Sequence, residues 1–152
     1  MAHTIQQVRN IALTGHSGSG KTCLAEGMLY CTGALNRLGR TEEGTTVSDF
    51  DPEEIERRIS LRTSLLMPEW DSHHLNVLDT PGYADFAGEV QSGLRVADGS
   101  IVVVEDKAKI AKLAKGLAAR GDAKQIKAII AYGFEPAAGE TQQIAGCGAV
   151  PV

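Results

Sequence analysis

Paired cysteines, long apolar runs, an excess of basic charge and internal repeats are all missing from this sequence. Only three cysteines occur, Cys23, Cys31 and Cys147, without CxxC spacing or a histidine pattern beside them. That argues against a disulfide framework or a structural zinc site and reads as free thiols in a reducing compartment. No apolar run approaches the roughly 20 residues of a membrane span, and the opening MAHTIQQVRN has no signal-peptide core. The expectation is a cytoplasmic protein with no membrane partner. A net charge of −4 argues against a protein that coats nucleic acid. Sequence-specific DNA binding is therefore not expected, though a local basic patch is still allowed. What is present is the composition of one globular domain: 152 residues, 43% hydrophobic and 22% charged. A domain of that size buries roughly 70% of its unfolded surface, enough for one core.

Along the chain, VRNIALT (Val8 to Thr14) reads as a buried parallel strand, and KTCLAEGMLYCTGA as a helix. Leu24, Met28 and Leu29 share a side of that helix, and Gly33 stops it. Residues 36–50 have no periodicity and read as a mobile loop. DPEEIERR starts a helix, with Asp51 as N-cap and Pro52 in the first turn. From Ile59 to Leu65 the period becomes two, predicting a strand that turns at EWDS into a second strand, HHLNVLD. Gly88 to Ala97 is a further predicted helix, SIVVVE a buried strand, the lysine-rich run from Lys107 a helix, and IKAIIAYG a last strand. The final stretch is rich in Gly, Ala and Pro and reads as a loose tail. The expected domain is 1–132, followed by the tail 133–152. Strands alternating with helices predict an α/β, three-layer, mostly parallel sheet with one antiparallel strand and helices on both faces.

Two motifs carry chemistry. GHSGSGKT (Gly15, His16, Ser17, Gly18, Ser19, Gly20, Lys21 and Thr22) matches G-x-x-x-x-G-K-[ST] and lies between a strand and a helix. This is a P-loop: backbone N–H groups and the helix N-terminus surround phosphates, Lys21 reaches the outer ones, and the Thr22 hydroxyl can hold Mg²⁺. The fold class is thus that of a P-loop NTPase. The second motif, NVLDTPG, puts Asp79 at the end of a strand, where an acid can hold Mg²⁺, and lets the Gly82 N–H meet a terminal phosphate. Both motifs belong at the carboxyl ends of strands, so they share one crevice.

With those motifs in view, residues 8–104 resemble the GTP-binding domain of translational GTPases, most of all elongation factor G and its elongation-factor-G-like paralogues. The resemblance rests on GHSGSGKT, EEGTTVSDFDPEEIERRIS and NVLDTPGYADFAGEVQSGLRVADGSIVVV. It implies guanine nucleotide (GTP/GDP) and Mg²⁺ as ligands, and the ribosome as a partner of a conformational switch. It also implies that Ser60 stands where the family has the threonine that closes over Mg²⁺ and the terminal phosphate. Four positions depart from the family. Gly18 replaces an aspartate, Arg58 replaces the glycine before the Ile-Thr pair, and Tyr83 replaces the histidine that orients the attacking water. The fourth is the missing Asn-Lys-x-Asp run, where IIAYGFEP offers only Glu135, so the G domain reads as incomplete.

The function expected is GTP binding with Mg²⁺ and slow hydrolysis to GDP, with Lys21 stabilising charge and Tyr83 orienting water. A phenol has no basic nitrogen, but its oxygen can still hydrogen-bond water. Three other readings stand beside it: a nucleotide-binding switch or ribosome-binding module without turnover, a P-loop ATPase or kinase, and an inactive truncated fragment. His73 and His74 are adjacent on a strand and face opposite sides, so together they form a poor metal site. His16 reads as a packing or hydrogen-bonding residue, Cys23 as a small packed one, Trp70 as a cover for the sheet edge, and the lysine-rich helix as solvated surface.

Overall fold

The computed structural model describes residues 3–104 and 128–131. The helix expected from Lys107, Glu135, Cys147 and the tail 133–152 lie outside these residues. Strand β1, Val8–Thr14, leads through the glycine-rich loop into helix α1, Lys21–Cys31. A short helix α2, Pro52–Arg57, precedes the edge strands β2, Ser64–Leu66, and β3, Glu69–Trp70. Strand β4, His73–Asp79, helix α3, Ala87–Val96, and strands β5, Gly99–Val104, and β6, Ala128–Ala131, follow.

The sheet order is β2-β4-β1-β5-β6, with β3 also pairing to β4. β4, β1, β5 and β6 run parallel, while β2 and β3 are antiparallel to β4. This is the mixed, mostly parallel sheet that the alternating pattern predicts. Ala12 and Leu13 point to opposite faces of β1 and both are fully buried, so both faces are covered. Leu13 and Val77 meet Ala25 and Leu29 of α1, with Leu24 and Met28 packed beside them. α3 also contacts β1. α1 ends as expected: Gly33 takes φ +75°, and the N–H of Ala34 reaches back to the Leu29 carbonyl at 2.9 Å. α2 starts as expected too, with the Asp51 carboxylate accepting the Glu53 N–H at 3.0 Å.

Two expectations are corrected. The predicted strand from Ile59 shrinks to Ser64–Leu66, because other acceptors take the backbone donors before it. Glu54 Oε1 accepts the N–H groups of Leu61 (2.8 Å) and Arg62 (3.2 Å), and Glu89 Oε2 accepts that of Thr63 (2.9 Å). The antiparallel edge is then interrupted at Pro68, which has no N–H for the ladder. It resumes as the hairpin Glu69–Asp79, turned by Asp71 and Ser72 at φ +47° and +62°. Both turn residues have positive φ, as a two-residue turn that follows the twist of its strands requires. Trp70, at this edge, stays 60% exposed rather than covering it.

The segment 36–50 is the second correction. It lacks regular structure beyond a short 3-10 turn at Thr41–Glu43, yet it is pinned rather than loose. Glu26 of α1 is fully buried and accepts the N–H of Gly39 (3.1 Å) and of Val47 (2.6 Å). Ser48 and Asp49 are buried as well. A helix carboxylate thus does for this loop what a partner strand does elsewhere. Replacing Glu26 with alanine leaves two backbone donors without acceptors and is expected to cost about 2–3 kcal/mol. Glu26→Gln, which keeps one acceptor, should lose less. Urea unfolding, with amide exchange followed at Val47, measures both.

Candidate functional site

The site lies where the sheet order requires it. The chain leaves β1 for β4 on one side and later returns to β5 on the other, so a crevice opens beyond the carboxyl end of β1. The register sets Leu13 beside Asp79, which brings the glycine-rich loop and the Asp79–Gly82 loop to one level. In that loop Gly18 and Gly20 take φ +79° and +92°, a region costly to any residue with a Cβ. Gly20 is also the N-cap of α1, and no side chain caps it, so the first N–H groups of the helix face the cleft without a side-chain acceptor.

Lys21 is only 5% exposed and its ammonium donates to the His16 carbonyl at 2.9 Å, lying across the loop. His16 is a hydrogen-bonding residue, its Nδ1 2.7 Å from the Ser17 carbonyl oxygen. The Thr22 hydroxyl donates to Asp79 Oδ2 at 2.8 Å and stands 3.5 Å from Ser60 Oγ. Gly82 approaches closely: its carbonyl accepts the Ser17 N–H at 3.1 Å. A Cβ at Gly82 would collide with the Ser17 backbone and come within 2.6 Å of Lys21 Nζ. Thr80 fixes the approach, its hydroxyl donating to the Leu13 carbonyl at 2.6 Å.

A cleft of about 240 Å³ opens over these residues. Of the residues expected in the site, Ser17, Gly18, Gly20, Lys21, Thr22, Ser60 and Gly82 line it. Asp79 lies beneath, joined through Thr22, while Gly15, His16 and Ser19 form the loop behind. Tyr83 follows Gly82 and is 44% exposed, but it is not among the lining residues. Cys23, expected as a packed residue, is half-buried and lines the cleft. Thr41, Glu42, Asp49, Arg58 and Ile59 complete the wall; the sequence reading named Arg58 only as a departure from the family and gave the other four no individual place in the site. They reach the cleft on the segment that Glu26 and Glu54 pin. Arg58 ends α2 at φ +55°, a conformation suited to the glycine that the family carries there.

The electrostatics are those of acids held dry. Burial pushes the Asp79 carboxyl up to about 6; the Thr22 hydroxyl opposes the rise, and nearby Asp49 adds to it. Burial also raises Asp49, against a hydrogen bond from Ser60 and with repulsion from Glu54 and Glu26. Ser19 Oγ is buried without a hydrogen-bond partner among the described residues. Asp79 Oδ1 and Ser48 Oγ are buried with no well-formed bond among them, beyond the nearby Ser48 hydroxyl that holds the Asp79 carboxyl down a little. Buried, weakly satisfied oxygens beside Thr22 and Ser60 suit a hard, oxygen-ligated cation such as Mg²⁺. Between pH about 4 and about 6 the folded chain keeps the Asp79 proton that the unfolded chain has released. The stability of the ligand-free chain should therefore fall as pH rises through that window and stay lower above it. Asp79→Asn keeps an acceptor for Thr22 and removes the charge. It should remove the Asp79 share of that fall, leaving the share from Asp49, and raise stability at pH 7.5 by up to about 3 kcal/mol. Urea unfolding at pH 4.5 and 7.5, without nucleotide or divalent ions, measures it.

Comparison with known proteins agrees with this geometry. Residues 6–132 match the family model of the elongation factor Tu GTP binding domain. Elongation factor G 2 of Streptomyces coelicolor is 43% identical over 98 residues, covering 64% of this chain and 14% of that one. Mitochondrial ribosome-releasing factor 2 of Scheffersomyces stipitis is 40% identical over 106 residues, covering 70% of this chain and 12% of that one. A solved structure from Thermus thermophilus superposes with a TM-score of 0.65 at 43% identity, covering 75% of this chain and 18% of that one. The chain thus spans about an eighth of the length of these two curated relatives. On the match over residues 6–132, with the P-loop and the Asp79–Gly82 loop meeting over one cleft, the chain belongs to the elongation factor Tu GTP-binding domain family.

Proposed function

We propose that this domain binds GTP with Mg²⁺ and hydrolyses it slowly to GDP, in the manner of an elongation-factor-G-like switch that engages the ribosome. The observation that carries the reading is the 2.8 Å hydrogen bond from Thr22 to Asp79, which couples the phosphate cradle to the second phosphate-facing loop. The names of the relatives support the link to translation. In this reading the loop 15–20 and the start of α1 wrap the phosphates, and Lys21 turns from the His16 carbonyl to the outer phosphate oxygens. Thr22, Ser60 and Asp79 would hold Mg²⁺, which supplies charge neutralisation on the outer phosphate oxygens when bound. Gly82 gives up its contact with Ser17 and turns its N–H to the terminal phosphate, which ties the state of the loop to the presence of that phosphate. Tyr83 orients the attacking water through its hydroxyl but cannot take a proton from it as an imidazole does. Phosphoryl transfer depends mainly on positioning and charge, so turnover is slow rather than absent.

A second reading, binding without turnover, is favoured by the position of Tyr83 outside the cleft lining. Base choice is a separate question, since no Asn-Lys-x-Asp run supplies a carboxylate to the guanine edge. Fluorescent guanine nucleotide binding with Mg²⁺, competed by GTP, GDP and ATP, tests the assignment. GTP and GDP should compete and ATP should not, and Lys21→Ala should weaken binding by about 10- to 100-fold. Equal competition by ATP would remove the guanine assignment. Tyr83→His should raise single-turnover hydrolysis on the order of tenfold. No turnover in either form, with binding intact, would leave the binding-only switch.

A further inference from the structure

At the end of β4 opposite Asp79, three side chains from separate segments converge. His3 Nε2 lies 3.0 Å from Glu69 Oε1, and His74 Nδ1 lies 3.8 Å from the same oxygen. The fold brings them together: Glu69 faces His74 across the hairpin, and Val8 pairs with His74, so the residues before β1 run alongside. The two imidazole rings stand 5.3 Å apart and tilted by 36°, not stacked. His74 Nδ1 is buried, and the partner recorded for it is Glu69 Oε1 at 3.8 Å, beyond a good hydrogen-bond distance. A buried ring nitrogen held that far from its acceptor is poorly satisfied, and the carboxylate it faces already meets His3.

We propose that His3, Glu69 and His74 form a site for a divalent transition-metal ion of the Zn²⁺ class, with water completing the coordination. The three donor atoms lie within 4.8 Å of one another. Bonds of about 2.0–2.1 Å in a tetrahedral site put ligand atoms about 3.4 Å apart, between the observed 3.0 and 3.8 Å. Two imidazoles and one carboxylate select Zn²⁺, Co²⁺ or Cu²⁺ over Mg²⁺ or Ca²⁺, which prefer all-oxygen shells. The side chains of His3 and His74 are 22% and 25% exposed, and that of Glu69 is 66% exposed, so the histidines shelter the ion while the carboxylate side stays open for entry. His73 faces the other side of the strand and is tied to the Asp71 carbonyl at 2.8 Å. The site stands roughly 16 Å along β4 from Asp79, apart from the nucleotide crevice. An ion there would clamp the N-terminal segment to the β3–β4 hairpin, closing a loop of more than sixty residues in the folded chain.

The test is a titration of the metal-stripped chain with Co²⁺ in excess Mg²⁺, read by the visible absorption of tetrahedral Co²⁺. One Co²⁺ per chain is expected, displaced by equimolar Zn²⁺. His3→Gln and His74→Gln should each weaken binding at least tenfold or so, while His73→Gln and Cys31→Ser should leave it unchanged. Circular dichroism checks that each variant folds; if His74→Gln does not, His3→Gln, in the segment ahead of β1, decides. Absence of tetrahedral absorption, or Co²⁺ affinity retained in His3→Gln, overturns the proposal.

Discussion

The hydrogen bond between the Thr22 hydroxyl and the buried carboxylate of Asp79 is the contact on which the rest of the site depends. It joins the first turn of α1 to the end of β4, two elements that the sequence separates by a long irregular stretch. Its geometry is set by the parallel register that puts Leu13 beside Asp79. A one-residue slip would turn Asp79 to the other face of the sheet and separate the loops. The acid is costly to bury, and its carboxyl is pushed up to about 6 for that reason. The domain therefore keeps a poorly solvated acid at its site, whose charge a neighbouring cation would offset.

Carboxylates also organise the irregular third of the fold. Glu26, Glu54 and Glu89 take backbone N–H groups from Gly39, Val47, Leu61, Arg62 and Thr63. Three side chains thus replace the ladder bonds that a strand would have formed. The consequence is a segment that is ordered without being part of the sheet. It delivers Asp49, Arg58, Ile59 and Ser60 to the cleft, and its hold on the core is polar rather than apolar. A segment held in that way can exchange its bonds for bonds to a ligand without first losing a hydrophobic contact.

The two ends of β4 have different chemistry. At the carboxyl end, hydroxyls and carboxylates suited to hard cations gather beside the P-loop, whose N–H groups and Lys21 suit phosphates. At the other end, two histidines and a glutamate come together, a softer set. One strand of seven residues carries both, because its alternation sends His74 and Asn76 to one side and His73, Leu75, Val77 and Asp79 to the other.

Local pattern was enough for the elements whose causes are local. Asp51 and Pro52 begin α2, Gly33 ends α1, and GHSGSGKT between a strand and a helix announces the phosphate cradle. The adjacency of Asp79 to that cradle was also legible, since both motifs end strands of one parallel sheet. What the sequence could not tell was that the alternation from Ile59 to Leu65 is mostly not a strand. The alternation put Leu65 inward, yet Leu65 is exposed and Leu66 is buried, and the competing acceptors Glu54 and Glu89 sit elsewhere in the chain. Nor could it tell that 36–50 is pinned, because Glu26 reads locally as one more polar residue of a helix. The meeting of His3 with Glu69 and His74 was equally hidden, for it needs the register of β1 on β4. The sequence determined the phosphate chemistry, which short contiguous motifs carry; the tertiary structure alone decided which distant carboxylates and imidazoles meet, because only packing sets distances between segments far apart in the chain.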